Sequence, residues 1–345
     1  MLTFDRQDNY VFLIMKKLNV LGIDGGGTKT EAILMDENYQ ILGSGKSGPS
    51  NYQSVGIEVT KNSIQTAITQ TVTNSNSYQP ISGICLGLAG VGRPEDFSVV
   101  KKILEELVTD MSIKWELKPN TTIICSDSNI ALVGGIGDTV GVVVIAGTGS
   151  LIFGQNSQGL TKRVGGWGYL LGDEGGGYNI AIQGLQAALK SYDGRESPTT
   201  LITDFQTYLD LKNIEGLIEV VYRRGWGTRD IAKLAPIVFA AADKEDKVAK
   251  KIIQGAVEEL SKATKIVIST LFQPHEIFEV VTIGSVWRGM ENFRGCFENS
   301  ITAIAPTAQV IWPRHQPVYG AALLALKAVK GKAEGRRQKA EGLEG

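Results

Sequence analysis

Residues 22–30 read Gly22-Ile23-Asp24-Gly25-Gly26-Gly27-Thr28-Lys29-Thr30, and apolar segments flank this run on both sides. Both segments have the composition of β-strands, so the run is a loop that joins a strand to a strand. Three consecutive glycines lack Cβ atoms, which allows backbone N–H groups to converge on an anion. We therefore predict a phosphate-binding loop. The alternative is a tight hairpin in which the glycines adopt positive φ angles.

The side chains of this loop suit the same chemistry. Asp24 stands at the end of the first strand, where a carboxylate can hold Mg²⁺ directly or through water. Thr28 and Thr30 supply hydroxyl donors to phosphate oxygens. The loop is not a Walker P-loop, because it lacks the G-x-x-x-x-G-K-[ST] spacing and no helix follows it.

A second glycine–threonine loop, Gly147-Thr148-Gly149-Ser150, repeats this arrangement later in the chain. It lies between an apolar strand at 140–146 and another at 151–154. A plain β-turn is the alternative for this loop taken alone. The repeat of strand, loop and strand predicts a duplicated domain, with each copy contributing one phosphate loop.

The order of predicted elements indicates an α/β protein of two domains, which we place at 18–130 and 131–330. Residues 1–17 are expected to be a disordered N-terminal extension, with Met15 as the natural start. The final helix, predicted at 316–329, is expected to pack back on the N-terminal domain. Residues 331–345 carry little large apolar surface and are expected to be a disordered tail.

Asp127 follows the apolar strand at 123–126. A carboxylate at the carboxyl end of a central strand, near two phosphate loops, is placed to accept a proton from an attacking hydroxyl. The alternative is a helix N-cap for the segment 128–133, since aspartate is a favoured capping residue.

Three further positions have both a ligand-binding and a structural interpretation. Asp173, within the glycine-rich segment 172–175, could bind a sugar hydroxyl or Mg²⁺, or cap the next helix. Asn51 could bind a sugar hydroxyl through its amide, or close an Asx-turn. Gly284 could let an adenine ring approach the backbone, or serve an ordinary strand-to-helix turn.

The composition excludes several classes of partner. The formal net charge is −1 and no basic stripe interrupts the body of the chain, which argues against nucleic acid. The apolar stretch at 11–15 is too short to span a bilayer, so we expect a cytoplasmic protein without a membrane partner. Three dispersed cysteines without a C-x-x-C motif argue against a zinc site or a disulfide framework.

Together these motifs resemble the superfamily of sugar kinases, heat-shock chaperone ATPases and actin. Over residues 18–330 the chain is similar to the BadF/BadG/BcrA/BcrD-type ATPase family and, within it, to N-acetylglucosamine kinases. The resemblance rests on the two phosphate loops and on the segments Gly165-Gly166-Trp167-Gly168 and Gly172-Asp173-Glu174-Gly175. It implies two actin-like (ribonuclease H-like) domains, each a mixed sheet flanked by helices, with a cleft between them.

The resemblance also implies site residues for ATP, Mg²⁺ and a sugar. Asp24 helps to hold Mg²⁺, Asp127 is the general base, and Gly284 lies by the adenosine. The residues implied around the phosphates are Gly25, Gly26, Gly27, Thr28, Lys29, Thr30, Thr148 and Gly149. The residues implied around the amino sugar are Asn51, Gly166, Asp173 and Thr148.

The activity implied by the resemblance is ATP-dependent phosphorylation of an amino sugar, with N-acetylglucosamine and its 6-hydroxyl as the first expectation. Glucosamine or N-acetylmuramic acid is the alternative, because Gln53 stands where the N-acetylglucosamine kinases tend to carry tryptophan. A homodimer is left open.

Two other classes of function compete with the kinase. One is an ATPase that activates an acyl-CoA reductase or dehydratase through an iron–sulfur cluster, against which the dispersed cysteines argue. The other is a non-catalytic sugar sensor, against which the joint presence of Asp24, Thr28, Asp127 and Thr148 argues.

Overall fold

The computed structural model describes residues 18–341 apart from 76 and 290. The predicted extension at 1–17 and the end of the predicted tail, 342–345, lie outside the described residues. No helix within the described part of the chain is long and apolar enough to cross a membrane.

The first sheet has five strands in the order β3-β2-β1-β4-β5. The strands are β1 (Asn19–Gly25), β2 (Thr30–Asp36), β3 (Ile41–Ser47), β4 (Ile81–Leu88) and β5 (Thr122–Ser126). The first three form an antiparallel meander, and β4 and β5 run parallel to β1. Every residue of β4 is buried, as expected for a central parallel strand covered on both faces.

Three helices belong to this first half: α1 (Tyr52–Val55), α2 (Ile57–Ser75) and α3 (Pro94–Asp110). The buried residues of α2 and α3 recur at helical spacing and pack with the sheet in one core. The carboxyl ends of β1, β4 and β5 therefore lie at one edge of the sheet, and the loops that follow them form one side of the candidate site.

The second sheet repeats this topology with five strands in the order β10-β9-β6-β7-β8. They are β6 (Gly141–Ala146), β7 (Ser150–Gln155), β8 (Thr161–Gly165), β9 (Phe278–Ile283) and β10 (Ala308–Ile311). Again the first three form an antiparallel meander and the other two extend the sheet in parallel. The two mixed sheets confirm the predicted fold class.

Helices of the second half form a thick layer on this sheet. They are α5 (Gly177–Tyr192), α6 (Leu201–Leu209), α7 (Leu217–Arg223), α8 (Thr228–Ala232), α9 (Ala235–Asp243), α10 (Lys247–Leu271) and α11 (Glu291–Ile304). The large core between sheet and helices includes the fully buried Phe205, Trp287 and Phe297. This half has more helices than the first, and two of them, α8 and α9, border the candidate site.

Two helices connect the sheets, α4 (Asp127–Ile136) and α12 (Pro317–Glu341). The predicted boundary at 130/131 falls inside α4, so a helix joins the two halves at this point. This helix packs through Leu132 on the second sheet and through Val133 on α12. A Cβ atom on Gly320 would lie 2.1 Å from the Ile130 carbonyl oxygen, so α4 and α12 cross with their backbones in contact.

The last helix packs on the first sheet. A Cβ atom on Gly22 of β1 would lie 2.3 Å from the Ala322 backbone nitrogen, so α12 lies directly on this strand. The helix continues to Glu341, whereas the sequence predicts its end at 329 and a disordered tail from 331. Residues 332–341 are dominated by Lys, Ala, Glu, Arg and Gln, which are good helix formers and offset the glycine at 335.

Candidate functional site

The first glycine loop closes the hairpin between β1 and β2, in which Gly25 pairs with Thr30. Two hydrogen bonds fix it: the N–H of Ala89 donates to the Gly25 carbonyl at 2.8 Å, and that of Ser50 to the Gly26 carbonyl at 2.9 Å. None of its three glycines has a positive φ angle. The hairpin alternative is therefore right in connectivity but does not explain why glycine stands at these positions.

Space around the loop explains the glycines better. A Cβ atom on Gly25 would lie 2.2 Å from Ser50 Oγ, so this position has no room for a side chain. A Cβ atom on Gly27 would meet no atom within 4 Å, because the residue faces open space. The tip of the loop is thus accessible to a ligand, and its base is packed.

Two predicted phosphate contacts of this loop are placed differently. Thr30 is fully buried, and its hydroxyl is hydrogen-bonded to the Gly48 carbonyl at 2.8 Å and to Ser50 Oγ at 2.7 Å. Its side chain supports the loop and does not face a ligand, contrary to the prediction for this hydroxyl. Lys29 is exposed and forms an ion pair with Glu31 at 2.8 Å. Thr28 is exposed at the loop tip, as a phosphate ligand requires.

The second glycine loop closes the hairpin between β6 and β7, where Ala146 pairs with Ser150. The first turn of α5 holds it: Gly177 N–H donates to the Gly147 carbonyl at 2.8 Å and Tyr178 N–H to the Thr148 carbonyl at 2.9 Å. Thr148 is exposed beside a cavity described below. Both predicted loops therefore occupy equivalent places in the duplicated fold.

Asp24 lies next to the last residue of β1 and Asp127 directly follows β5, so both lie at the same sheet edge with β4 between the two strands. Burial, the charge of Asp127 and the charge of Glu31 raise the pKa of Asp24 to about 7, against the opposing charge of Lys29. Burial also raises the pKa of Asp127, although the Ser128 N–H and the charge of Arg163 oppose the rise. The cleft therefore holds two carboxylates in a poorly solvated place.

This pair of carboxylates fits a divalent cation whose remaining ligands are waters and phosphate oxygens. Within the described residues no three His, Cys, Asp or Glu side chains gather as a metal site. Mg²⁺ is commonly bound by one or two carboxylates, with waters and substrate phosphates completing its shell. Asp24, with Asp127 near it, offers that kind of donor set.

Asp127 is the first residue of α4 and does not cap it. The N-cap is Ser126, whose hydroxyl accepts a hydrogen bond from Asn129 N–H at 3.3 Å. One carboxylate oxygen of Asp127 accepts from Ser128 N–H at 2.8 Å. The capping alternative for Asp127 is wrong, because the residue before it performs that role.

Asp173 likewise does not cap the next helix, since Gly176 is the N-cap of α5. Its backbone has a positive φ of 62°, unusual for a residue with a side chain. One carboxylate oxygen accepts from Gly168 N–H at 3.2 Å. The other carboxylate oxygen would lie 2.2 Å from a Cβ atom on Gly149, so the second phosphate loop and Asp173 are in contact.

Arg163 lies among the residues that are predicted to border the sugar, and sequence reasoning missed it. Its guanidinium donates to the carbonyls of Gly165, at 3.2 Å, and Gly166, and lies 5.6 Å above the Trp167 ring. Its charge lowers the pKa of both Asp127 and Asp173, which burial raises. Its only sequence signal was its place two residues before the glycine pair.

Asn51 faces the turn after β4. It is the N-cap of α1, accepting from Gln53 N–H at 3.2 Å, so the Asx-turn interpretation is correct. Its side chain also fills the space over Gly90, where a Cβ atom would lie 2.5 Å from Asn51 Oδ1. Gln53 donates to the Gly90 carbonyl at 2.7 Å and ties the two loops together.

A cavity of about 380 Å³ opens beside the second phosphate loop. It is lined by Gly147, Thr148, Gly177, Tyr208, Arg229, Ala232, Lys233, Ala235, Pro236, Phe239, Ser285, Val286 and Gly289. Gly284, predicted at the adenosine, lies behind this wall with a φ of 120°, and a Cβ there would sit 2.1 Å from the Ala146 carbonyl oxygen. Its successors Ser285 and Val286 form the wall itself.

A larger hollow of about 850 Å³ lies between α5 and the start of α10. Its lining includes Gln183, Lys190, Asp246 and Lys251 and contains neither phosphate loop. Of these two cavities, the smaller one adjoins the predicted chemistry, between the second glycine loop and the helices α8 and α9.

Two domains of one topology, with a glycine loop in each and carboxylates between them, define a protein of the two-domain actin-like fold. The chain belongs to the BadF/BadG/BcrA/BcrD ATPase family, which it matches over residues 21–325. A structure from Chromobacterium violaceum, described as an N-acetylglucosamine kinase, shares the fold with a TM-score of 0.67 and 22% identity. That comparison covers 89% of this chain and 99% of the other.

Two curated relatives are more similar in sequence. The N-acetylmuramic acid/N-acetylglucosamine kinase of Clostridium acetobutylicum is 35% identical over 89% of this chain and 97% of its own length. The N-acetyl-D-glucosamine kinase of Dictyostelium discoideum is 33% identical over 92% of this chain and 100% of its own. The family resemblance predicted from the motifs is confirmed.

Proposed function

We propose that the protein transfers the γ-phosphate of ATP to a hydroxyl of an amino sugar, with N-acetylglucosamine and its 6-hydroxyl as the favoured acceptor. We assign the reaction to the cytoplasm, where ATP is available. The two kinases that are 35% and 33% identical support the amino-sugar class. The observation that carries the proposal is geometric: Asp24 and Asp127 lie at one edge of the first sheet, and the two glycine loops occupy equivalent places in the duplicated fold.

In this proposal Asp127 is the general base. The sugar hydroxyl gives its proton to the Asp127 carboxylate while its oxygen forms a bond to the γ-phosphorus and the bond to ADP breaks. Burial supports the role, because a raised pKa makes the carboxylate a better proton acceptor. The hydrogen bond from Ser128 N–H and the charge of Arg163 oppose that rise.

The two glycine loops hold the triphosphate between the domains. Thr28 and the open face of Gly27 approach it from the first domain, and Thr148 from the second. The apolar walls of the cavity, including Pro236, Phe239 and Val286, suit a nucleoside. Mg²⁺, when bound near Asp24, neutralises charge on the phosphates.

The sugar is assigned to the space bordered by Asn51, Asp127, Gly166 and Asp173. Arg163 connects the halves of this space, since one of its nitrogens would lie 3.7 Å from a Cβ atom on Gly92. Glucosamine and N-acetylmuramic acid are the alternative acceptors, because Gln53 stands where N-acetylglucosamine kinases tend to carry tryptophan and because relatives include a kinase of each class.

The cysteines favour a kinase over an electron-transferring activator. Neither glycine loop contains a cysteine. Cys85 and Cys125 lie side by side on β4 and β5 with 3.8 Å between their sulfur atoms, and Cys296 is exposed on α11. Cys85 is fully buried in the first domain, so this pair of thiols is not placed to bind a cluster shared with a second copy of the chain.

The acceptor is tested by measuring ATP consumption with glucosamine, N-acetylglucosamine, N-acetylmannosamine, N-acetylmuramic acid and glucose. We expect the highest kcat/KM with N-acetylglucosamine and a product phosphorylated at the 6-position. Turnover with glucose but with none of the amino sugars would contradict the proposal, and so would a brown, iron-containing protein.

The base is tested with Asp127→Asn. Loss of a general base should lower kcat by about 10²- to 10⁴-fold. ADP binding should stay within about twofold, because the cavity for the nucleoside is formed by other residues. Near-normal turnover by this variant would exclude Asp127 as the base.

A further inference from the structure

Arg229, on the short helix α8 of the second domain, reaches across the cleft to the first domain. Its Nη2 donates a hydrogen bond to Thr28 Oγ1 at 3.1 Å, although the two residues are 201 positions apart in the chain. Thr28 belongs to the tip of the first phosphate loop, and Arg229 also lines the cavity beside the second loop. One guanidinium therefore touches both halves of the proposed ATP site.

Arg229 is not paired with a carboxylate within the described part of the chain, whereas the basic residues near it form ion pairs. Lys233, on the same wall, forms an ion pair with Asp230 at 2.9 Å, and Lys29 pairs with Glu31 at 2.8 Å. A guanidinium has five N–H donors, so the bond to Thr28 leaves most of them free for a ligand.

We propose that Arg229 binds the phosphate groups of the nucleotide from the second domain and that Thr28 positions its guanidinium. The inference rests on the proposed function, because it takes the cleft between the loops as the ATP site. The planar fork of arginine matches phosphate oxygens in a bidentate geometry and is always charged at neutral pH. Arg229 thus offsets negative charge that the two paired lysines do not.

The position of Arg229 also predicts which ligands depend on it for binding. Because its helix and the Thr28 loop belong to different domains, phosphates bound between them connect the two lobes. Adenosine, which has no phosphates, would occupy the cavity beside the second loop but would not connect the two domains. Phosphate-dependent binding therefore distinguishes a ligand contact from a merely structural role of Arg229.

The experiment compares wild type, Arg229→Gln, Arg229→Lys and Thr28→Val, with Arg223→Gln as the control. Arg223 is an exposed arginine on the nearby α7, where it lies 4.0 Å from Glu219. For each protein we would measure kcat and KM for ATP with N-acetylglucosamine, and the affinities for ADP and for adenosine.

We expect Arg229→Gln to lower kcat/KM for ATP by about 100-fold, as loss of one preorganised donor to a developing charge does. ADP affinity should fall by about tenfold or more while adenosine affinity changes by less than about twofold. Arg229→Lys should recover part of the loss, Thr28→Val should lose less than Arg229→Gln, and Arg223→Gln should behave as wild type.

Equal weakening of ADP and adenosine, or Arg229→Gln kinetics within about threefold of wild type, would overturn the phosphate contact. If Arg229→Gln bound ADP more weakly than wild type but wild type phosphorylated no sugar, only the proposed function would be contradicted. Turnover that is unchanged in Arg229→Gln would contradict only the role of Arg229.

Discussion

Asp24 and Asp127 lie at the same edge of the first sheet, at the ends of β1 and β5, and the charge of Asp127 acts on Asp24. Burial is the larger cause of the raised pKa of Asp24, about 7, and the negative charge of Asp127 is the next. The two strands are separated by β4 alone, which places them about 10 Å apart at the sheet edge. The cleft without a cation is therefore an unfavourable place for two ionised carboxylates.

Asp24→Asn should change the pH dependence of stability. The folded protein keeps the Asp24 proton up to about pH 7, whereas the ordinary pKa is 3.8. The stability that this proton contributes is complete below about pH 4, declines as the pH rises, and is lost above about pH 7. Since the shift is about 3 pKa units and each unit corresponds to about 1.4 kcal/mol, the variant should exceed wild type by up to about 4 kcal/mol at pH 8.

Urea unfolding of both proteins at pH 4 and pH 8, without divalent cations, measures this difference. The two proteins should have similar stability at pH 4, and Asp24→Asn should be inactive as a kinase. A stability difference of the same size at both pH values would show that the charge of Asp24 is not its source.

Arg163→Gln should move the acid limb of the pH–rate profile to higher pH. Burial raises the pKa of Asp127, and the charge of Arg163 is one of the influences that lower it. A proposed base works only when ionised, so kcat/KM falls as the pH drops through this pKa. Without the guanidinium the pKa rises further, and activity is lost at a higher pH than in wild type.

The profile of kcat/KM against pH, recorded with saturating ATP, is the measurement. Lys162→Gln is a suitable control, because it alters a charge on the adjacent position of β8. An acid limb that stays in place in Arg163→Gln, despite a lower overall rate, would limit Arg163 to holding the Gly165 and Gly166 carbonyls.

Gly25→Ala and Gly27→Ala should separate packing from ligand access in the first loop. The new methyl at position 25 would clash with Ser50 and with Leu88, 2.2 Å and 2.4 Å away, at a cost of about 1–3 kcal/mol. The methyl at position 27 meets nothing within 4 Å, so stability should change by less than about 0.5 kcal/mol. It should instead weaken ADP binding.

Urea unfolding and ADP titration of both variants give the comparison. If Gly27→Ala bound ADP as tightly as wild type, the open face of the loop would not be where phosphate approaches. If Gly25→Ala retained full stability, the packing explanation for that glycine would fail.

Local patterns were enough to predict the duplicated hairpins. Apolar runs joined by glycine–threonine loops define β1–β2 and β6–β7, and the antiparallel pairing follows from the short connections. The same patterns placed Asp24 and Asp127 at strand ends. Since parallel strands end at a common edge, residues far apart in sequence could be assigned to one cleft.

Side-chain direction and distant contacts could not be read from such patterns. Thr30 opens β2 with its side chain inward, so neighbouring Glu31 rather than Thr30 faces the outside. Ser126, not Asp127, caps α4. The helix begins one residue earlier than the sequence indicated, and this difference decides which side chain is the N-cap. Arg229 lies in a helical region with several basic residues, and only the fold brings it to Thr28.

Asp96 should fix the position of the segment around Asn51, which we propose to contact the sugar. This buried carboxylate accepts hydrogen bonds from Gly92 N–H at 3.1 Å and Arg93 N–H at 2.7 Å, and from the Tyr52 and Gln53 side chains. Although burial acts to raise it, the bonds from Tyr52 and Arg93 hold the pKa of Asp96 well below its usual range. The charge is thus stabilised by α1 and by the turn after β4 together.

Asp96→Ala leaves these donors without an acceptor and should lower the free energy of unfolding by about 3 kcal/mol. It also releases Tyr52 and Gln53, so Asn51 loses its fixed position and KM for the sugar should rise by about tenfold, with a smaller change in KM for ATP. Glu95→Ala, at the exposed neighbouring position, is the control. Urea unfolding and sugar-dependent kinetics would contradict this role if the two variants were equally stable and had the same KM for the sugar.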